Sequence, residues 1–154
     1  MTYLPAGKAA PDFTLQDQHN NTVRLSALLK QSRVLVYFYP KAMTPGCTVQ
    51  ACNLRDVKAE LAAKGVSVVG ISIDSPARLD KFTQRDQLNF TLLSDEDHKV
   101  ADAFGVWGEK KFMGKTYDGL HRISFLIAQD GTVEKVFDDF KTKDHHQVVL
   151  NYLS

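Results

Sequence analysis

The chain has 154 residues, of which 44% are hydrophobic, and its 19 lysines and arginines nearly balance its 18 aspartates and glutamates. This length and composition predict a single domain over residues 1–154 that folds without disulfides or metals. A formal net charge of +1, without a basic cluster, argues against electrostatically driven binding to nucleic acid or to a membrane. Residues 1–11 lack the apolar run of a secretory signal, so we expect a cytoplasmic protein. In a reducing cytoplasm, the two cysteines are expected to be redox-active, catalytic or metal-binding rather than a structural disulfide.

The predicted elements begin with a short hairpin on either side of the polar segment 17–21. Residues 33–39, RVLVYFY, form a β-branched and aromatic run that is typical of a strand covered on both faces. A helix is predicted from Thr44 to Lys64, because proline suits the first helical position and glycine commonly follows a helix end. The remaining predicted elements are strands at 66–73, 90–93, 123–128 and 132–137, and helices from Asp74-Ser75-Pro76 to about Leu88, at 99–104 and at 144–153.

The order of these elements predicts the fold class. Strands and helices alternate in the first half, and Asp130-Gly131 marks a hairpin between two strands near the end. This combination predicts a mixed β-sheet with helices on both faces and an N-terminal β-hairpin. We therefore favour an α/β, thioredoxin-like fold over a purely parallel, flavodoxin-like sheet.

Three other segments have simple structural interpretations. The acidic segment 95–98, DEDH, is interpreted as a helix cap, and neither a metal site nor a cofactor is predicted. His145 and His146 are interpreted as solvated residues at the start of the last helix. The aromatic residues of the glycine-containing stretch that follows residue 106 are interpreted as loop residues that either pack internally or form a pocket wall or partner surface; they are Trp107, Phe112 and Tyr117.

Cys47 lies in the first turn of the predicted helix and shares the apolar stripe of Leu54 and Leu61, so its side chain should face the sheet. The unpaired N–H groups and the positive dipole end of a first turn favour a thiolate at that position. The alternative interpretation is a buried, unreactive cysteine.

Cys52 follows five residues later, so an intact helix would place the two Cα atoms roughly 8.6 Å apart. A disulfide tolerates only about 7 Å. A disulfide between the two cysteines therefore requires the start of the helix to unwind; otherwise Cys52 is a bystander. The missing Cys-X-X-Cys motif argues against a dithiol oxidoreductase, and the distance in sequence to any histidine argues against structural zinc.

Residues 40–47, PKAMTPGC, fit the pattern Pro-x3-Thr-x2-Cys of the peroxiredoxin active site. The continuation 48–52, TVQAC, resembles the bacterioferritin comigratory protein, or peroxiredoxin Q, branch of that family. Four more segments look like the same family in the same order, so the resemblance covers essentially the whole chain; they are 10–13, 90–95, 104–109 and 122–127.

The resemblance implies a monomeric thiol peroxidase that reduces hydrogen peroxide and organic hydroperoxides without metal, haem or flavin. It implies that Cys47 is the peroxidatic thiolate, which becomes a sulfenic acid, and that Cys52 resolves it as an intramolecular disulfide reduced by thioredoxin. Thr44 would hydrogen-bond the thiolate and the peroxide, Pro40 would shield the sulfenic acid, and Arg122 would stabilise negative charge. Two other functions stay open: a disulfide oxidoreductase, and a redox-regulated binding module or holdase.

Overall fold

A computed structural model describes residues 2–154 of the chain. The strands are β1 (Thr14–Asp17), β2 (Thr22–Arg24), β3 (Arg33–Phe38), β4 (Val66–Ser72), β5 (Thr91–Ser94), β6 (Trp107–Phe112), β7 (Lys115–Leu120), β8 (Ser124–Ile127) and β9 (Val133–Phe137). The helices are α1 (Leu25–Leu29), α2 (Pro45–Asp56), α3 (Lys58–Ala63), α4 (Pro76–Asp86), α5 (Lys99–Phe104) and α6 (His145–Leu153). Among the helices of residues 2–154, none is both long and apolar enough to span a membrane.

Seven of these strands form one mixed sheet in the order β2-β1-β5-β4-β3-β8-β9. The centre is parallel, since β3 pairs with β4 and β4 with β5 in that sense. Both edges are antiparallel: β8 and β9 form the hairpin around Asp130-Gly131, and β1 and β2 form the N-terminal hairpin. The predicted mixed architecture is confirmed over a purely parallel sheet.

The central strand β3 divides the core in two because its side chains alternate between the faces of the sheet. Val34, Val36 and Phe38 face a core covered by α1 and α5. Leu35 and Tyr37 face a second core that is covered by α2, α3, α4 and α6. Both faces of the sheet are therefore buried, as the continuous apolar run of β3 predicts.

The helix predicted to end at Lys64 is interrupted at Val57, which has φ −107° and ψ 11°. The Val57 N–H is shared between the carbonyl groups of Asn53 and Leu54, each at 3.3 Å. A β-branched residue is a weak helix former, and after this interruption Leu61 of α3 is buried in the core. Gly65, with φ +74°, follows α3 as expected.

The interpretation of residues 107–120 as a loop is wrong, because they form the antiparallel hairpin β6-β7. Its turn lies at Met113-Gly114, where both φ angles are positive, at 51° and 78°. Such a turn suits the right-handed twist of two paired strands. Phe112 and Tyr117 do not pack internally, since they are 66% and 49% exposed.

The structure confirms the interpretation of the acidic segment 95–98 and corrects that of His145. The Asp95 carboxylate accepts hydrogen bonds from the Val100 and Ala101 N–H groups, which confirms the capping interpretation. The solvated interpretation of His145 is wrong: α6 packs on the sheet and buries it completely, and its Nε2 lies 2.8 Å from Ser124 Oγ. This burial lowers the pKa of His145 to about 3. His146 is half-buried.

Candidate active site

Cys47 is the third residue of α2, whose N-cap is Thr44 and whose first residue is Pro45, as predicted. Its side chain is 2% exposed and belongs to the core on the α2 side of the sheet. The N–H groups of a first helical turn have no acceptor within the helix. The sulfur therefore lies where the helix end favours negative charge.

Arg122 precedes β8 and brings its guanidinium to the same place. Its Nη2 donates to Cys47 Sγ at 3.3 Å, and its Nη1 donates to Gln50 Oε1 at 2.5 Å. Gln50 is 1% exposed and follows Cys47 by three residues, so the two side chains share one face of α2. The guanidinium thus bridges two side chains of one helix and supplies a fixed positive charge beside the sulfur.

The first turn of α2 lies close to Arg122 and Thr142 at Gly46. A Cβ atom at Gly46 would lie 3.7 Å from Arg122 Nη2 and 3.4 Å from Thr142 Cγ2. The guanidinium and the segment before α6 therefore lie directly against the first turn of α2. Neither Gln50 nor Thr142 was among the predicted catalytic residues; the spacing of three residues from Cys47 indicates Gln50, whereas nothing in the sequence indicates Thr142.

Thr44 lies beside the site, but its hydroxyl makes a different contact from the one that the resemblance implies. Its Oγ1 donates to the Lys41 carbonyl at 3.1 Å, and its carbonyl accepts from Thr48 N at 2.9 Å. Within residues 2–154, its hydrogen bonds do not include Cys47. To donate to the sulfur, the hydroxyl has to give up its hydrogen bond to the Lys41 carbonyl.

The loop from β3 to α2 is held by a buried carboxylate. Asp74 Oδ2 accepts from the Ala42 N–H at 2.8 Å, and its Oδ1 accepts from Arg78 Nε at 3.1 Å. Met43 in this loop has φ 68°, so the anchor maintains an uncommon backbone conformation. Pro40 is half-buried and follows β3 at the start of the loop. Asp74 was predicted only as part of the start of α4, and nothing in its local sequence indicates its contact with Ala42.

Cys52 is half-buried on the same helix, and both cysteines are free thiols. Burial raises the pKa of the Cys52 thiol, an effect that the neighbouring Arg55 opposes. Since α2 is continuous from Pro45 to Asp56, the structure represents the form in which the two sulfurs are separate. Within residues 2–154, no three His, Cys, Asp or Glu side chains are grouped so that they could hold a metal ion.

Comparisons with known proteins give one consistent result. The family model described as AhpC/TSA family matches residues 6–136. Peroxiredoxin Bcp of Escherichia coli (strain K12) is 65% identical over 153 residues, which are 99% of this chain and 97% of that protein. The crystal structure of peroxidoxin BcpB from Mycobacterium tuberculosis has a TM-score of 0.85 and 38% identity, and the match covers 96% of this chain and 95% of that one.

A third relative is the bacterioferritin comigratory protein of Xanthomonas campestris, with a TM-score of 0.88, 30% identity and 97% coverage of both chains. Its trapped intermediate/ligand complex structures concern alkyl peroxide reduction by that protein. These matches confirm the predicted thioredoxin-like peroxiredoxin fold. By its sequence over nearly its whole length and by its fold, the chain belongs to the AhpC/TSA family and is a Bcp-type peroxiredoxin, a thiol peroxidase that acts on peroxides.

Proposed function

We propose that Cys47 is the peroxidatic residue of this enzyme, that Cys52 resolves its oxidised form, and that thioredoxin reduces the resulting disulfide. The observation that carries the proposal is the 3.3 Å contact between Arg122 Nη2 and Cys47 Sγ in the first turn of α2. A thiolate is the nucleophilic form of cysteine, and both the helix end and the guanidinium favour it.

The first step is an attack of the Cys47 thiolate on one oxygen of a hydroperoxide, ROOH. An S–O bond forms as the O–O bond breaks, and uptake of one proton releases ROH and leaves a sulfenic acid, Cys–SOH. The sulfur is oxidised and the peroxide is reduced. Arg122 stabilises the negative charge that develops on the departing oxygen. In this proposal Thr44 turns its hydroxyl from Lys41 to the bound peroxide, and Pro40 shields the sulfenic acid.

The second step joins the two sulfurs. The Cys52 thiolate attacks the sulfenic sulfur, an S–S bond forms, and hydroxide leaves and is protonated to water. Helix geometry separates the two Cα atoms by roughly 8.6 Å, so α2 has to unwind locally before this step. A dithiol of thioredoxin then reduces the disulfide, and α2 can re-form.

The substrates that we propose are hydrogen peroxide and organic hydroperoxides, since the related Xanthomonas campestris protein reduces alkyl peroxides. We also propose that residues 1–154 act as one domain and as a cytoplasmic monomer. A catalytic pair of thiols suits a reducing compartment, in which structural disulfides are rare.

The experiment is peroxide consumption by the wild type, Cys47→Ser and Cys52→Ser, with thioredoxin, thioredoxin reductase and NADPH. We expect no turnover by Cys47→Ser. Cys52→Ser should consume about one equivalent of peroxide, because the first step needs only Cys47, and should then stop. Each variant serves as the other's control, since both remove one thiol from the same helix. Turnover by Cys47→Ser would refute the peroxidatic assignment, and full turnover by Cys52→Ser would refute the resolving assignment.

A further inference from the structure

The hairpin β6-β7 presents two different faces, and one of them bears a lysine that crosses to the neighbouring strand. Lys110 pairs with Tyr117, and on the same face of the hairpin Gly108 pairs with Gly119. A Cβ atom at Gly119 would lie 3.0 Å from Lys110 Cδ and 3.2 Å from a ring atom of Tyr117. The stem of Lys110 therefore lies across Gly119, a path that a larger residue there would obstruct.

The ammonium group of Lys110 is directed toward the end of β7 that leads to the active site. Its Nζ donates to the Leu120 carbonyl at 2.8 Å, and the side chain is half-buried. Leu120 lies two residues before Arg122. Lys111, the next residue, points to the opposite face and is exposed.

Electrostatic effects connect Lys110 with both charged partners of the site. Burial, and next the positive charge of Arg122, lower the pKa of the Lys110 ammonium, whereas Cys47 raises it. The hydrogen bond to Leu120, two residues before Arg122, places the Lys110 ammonium near the guanidinium that contacts Cys47.

We propose that Lys110 is a positioning residue of this peroxidase: it holds the Leu120 carbonyl at the entrance to the Arg122 segment and places a second positive charge near the guanidinium that contacts Cys47. This inference rests on the proposed role of Cys47. Lys110 forms no bond to the substrate and transfers no proton.

Three buried titratable side chains near the sulfur carry no charge at neutral pH. Burial raises the pKa of Tyr37 and Tyr39, so both phenols are uncharged at neutral pH. His145 is also uncharged, because burial lowers its pKa to about 3. Other polar or titratable neighbours are identical in every variant of the test below and cannot by themselves account for a difference between variants; they include Gln50, His121, His146, Thr142 and the ion pair of Asp74 with Arg78.

The test uses the Cys52→Ser background, in which Cys47 is the single thiol. Lys110→Met and Lys110→Gln remove the charge, Lys110→Arg keeps it, and Lys111→Met is the matched control on the opposite face. Two quantities are measured: the pH dependence of Cys47 alkylation by uncharged iodoacetamide, and the rate of its single oxidation by hydrogen peroxide at pH 7. Thermal unfolding of each variant verifies that it folds.

We expect Lys110→Met and Lys110→Gln to move the midpoint of alkylation upward by about half a pH unit or more, and to slow oxidation about threefold or more. Lys110→Arg and Lys111→Met should stay close to the parent. An unchanged midpoint in both neutral variants, or an equal shift in Lys111→Met, overturns the inference. If Lys110→Met does not fold, Lys110→Gln, which can still donate to Leu120, decides.

Alkylation reports on Cys47 ionisation whether or not the protein turns over peroxide. Failure of the Lys110 inference is therefore distinguishable from failure of the proposed function. A shifted alkylation midpoint supports the positioning role of Lys110, and turnover by Cys47→Ser refutes the catalytic assignment on which that role depends.

Discussion

Arg122 donates one hydrogen bond of 2.5 Å to Gln50 and another of 3.3 Å to Cys47, so both acceptors lie on one face of α2. Gln50 is buried and carries no charge. A buried carboxylate in its place would neutralise the guanidinium, whereas the amide orients it and leaves its charge to act on the sulfur. The position of the guanidinium beside Cys47 and the charge that it presents to the sulfur therefore both depend on the pair Arg122 and Gln50.

Arg122→Lys tests the importance of this two-pronged contact. Lysine retains the charge but has no planar fork with which to contact Gln50 and Cys47 together. We expect the second-order rate of Cys47 oxidation, measured by stopped flow, to fall by about 10²-fold. Arg24→Lys is the control, because Arg24 is exposed on β2 and should be replaceable without effect. A rate for Arg122→Lys within threefold of the wild type would contradict the assignment.

Asp74→Ala removes the anchor of the loop before α2. The buried Ala42 N–H loses its acceptor at 2.8 Å, and Arg78 loses its partner at 3.1 Å. We expect the free energy of unfolding in urea to fall by about 1–3 kcal/mol, and peroxidase activity to fall with it because the loop carries Thr44. Asp80→Ala is the comparison, since Asp80 makes an exposed contact with Gln84. Equal losses of unfolding free energy in the two variants would show that the buried contact between Asp74 and Ala42 stabilises the protein no more than the exposed contact between Asp80 and Gln84.

His145 predicts a pH dependence of stability. Its pKa is about 3 in the folded chain against an ordinary value of 6.5, so below pH 6.5 the unfolded chain binds a proton that the folded chain does not. The contribution of neutral His145 to the unfolding free energy is therefore fully present above pH 6.5, and it is lost progressively as the pH falls from 6.5 toward 3. Between pH 7 and pH 5 this amounts to about 2 kcal/mol of unfolding free energy.

The measurement is urea unfolding at pH 7 and pH 5 for the wild type, His145→Gln and His19→Gln. Glutamine at position 145 does not titrate, so that variant should lose the decline attributed to His145. His19 is exposed, and its replacement should leave the decline in place. If the unfolding free energy of His145→Gln fell between pH 7 and pH 5 as much as that of the wild type, another group would be the cause of the pH dependence.

Gly70→Ala tests the packing of β4 against Tyr37. The two residues are register partners, and a Cβ atom at Gly70 would lie 2.7–2.9 Å from atoms of the Tyr37 side chain. We expect a loss of about 1–3 kcal/mol of unfolding free energy from overpacking. Gly46→Ala is the control, because its Cβ atom would meet Thr142 at an ordinary 3.4 Å. A Gly70→Ala protein as stable as Gly46→Ala would show that Tyr37 moves aside at little cost.

Local patterns in the sequence predicted β3, the start of α2 and the terminal hairpin, because each depends on residues adjacent in the chain. The contacts that complete the site do not have this property. Arg122 and Gln50 are 72 residues apart, and His145 and Ser124 meet only when α6 packs on the sheet. Arg122 itself was predicted from the family resemblance rather than from its surroundings.

The missed hairpin has a different reason. Its Met113-Gly114 turn lacks the Asn or Asp that usually accompanies glycine in a two-residue turn, and many of its side chains are exposed and charged. Residues 107–120 therefore lack the alternation of apolar and polar residues that predicts a strand. β6 and β7 hydrogen-bond to each other in a separate two-stranded sheet, so neither needs a place in the main sheet.

The break at Val57 limits how far a rearrangement of α2 can spread. The Val57 N–H makes only long hydrogen bonds to α2, each of 3.3 Å, whereas Leu61 N donates to Val57 O at 3.0 Å and Leu61 is buried beneath the sheet. In the proposed mechanism, unwinding that starts at the proline end of α2 has to pass the irregular residue Val57 and the buried Leu61 before it can affect the rest of α3. In the proposed cycle, each round of oxidation and reduction unwinds the part of α2 between the two cysteines, while the buried Leu61 keeps α3 packed against the sheet.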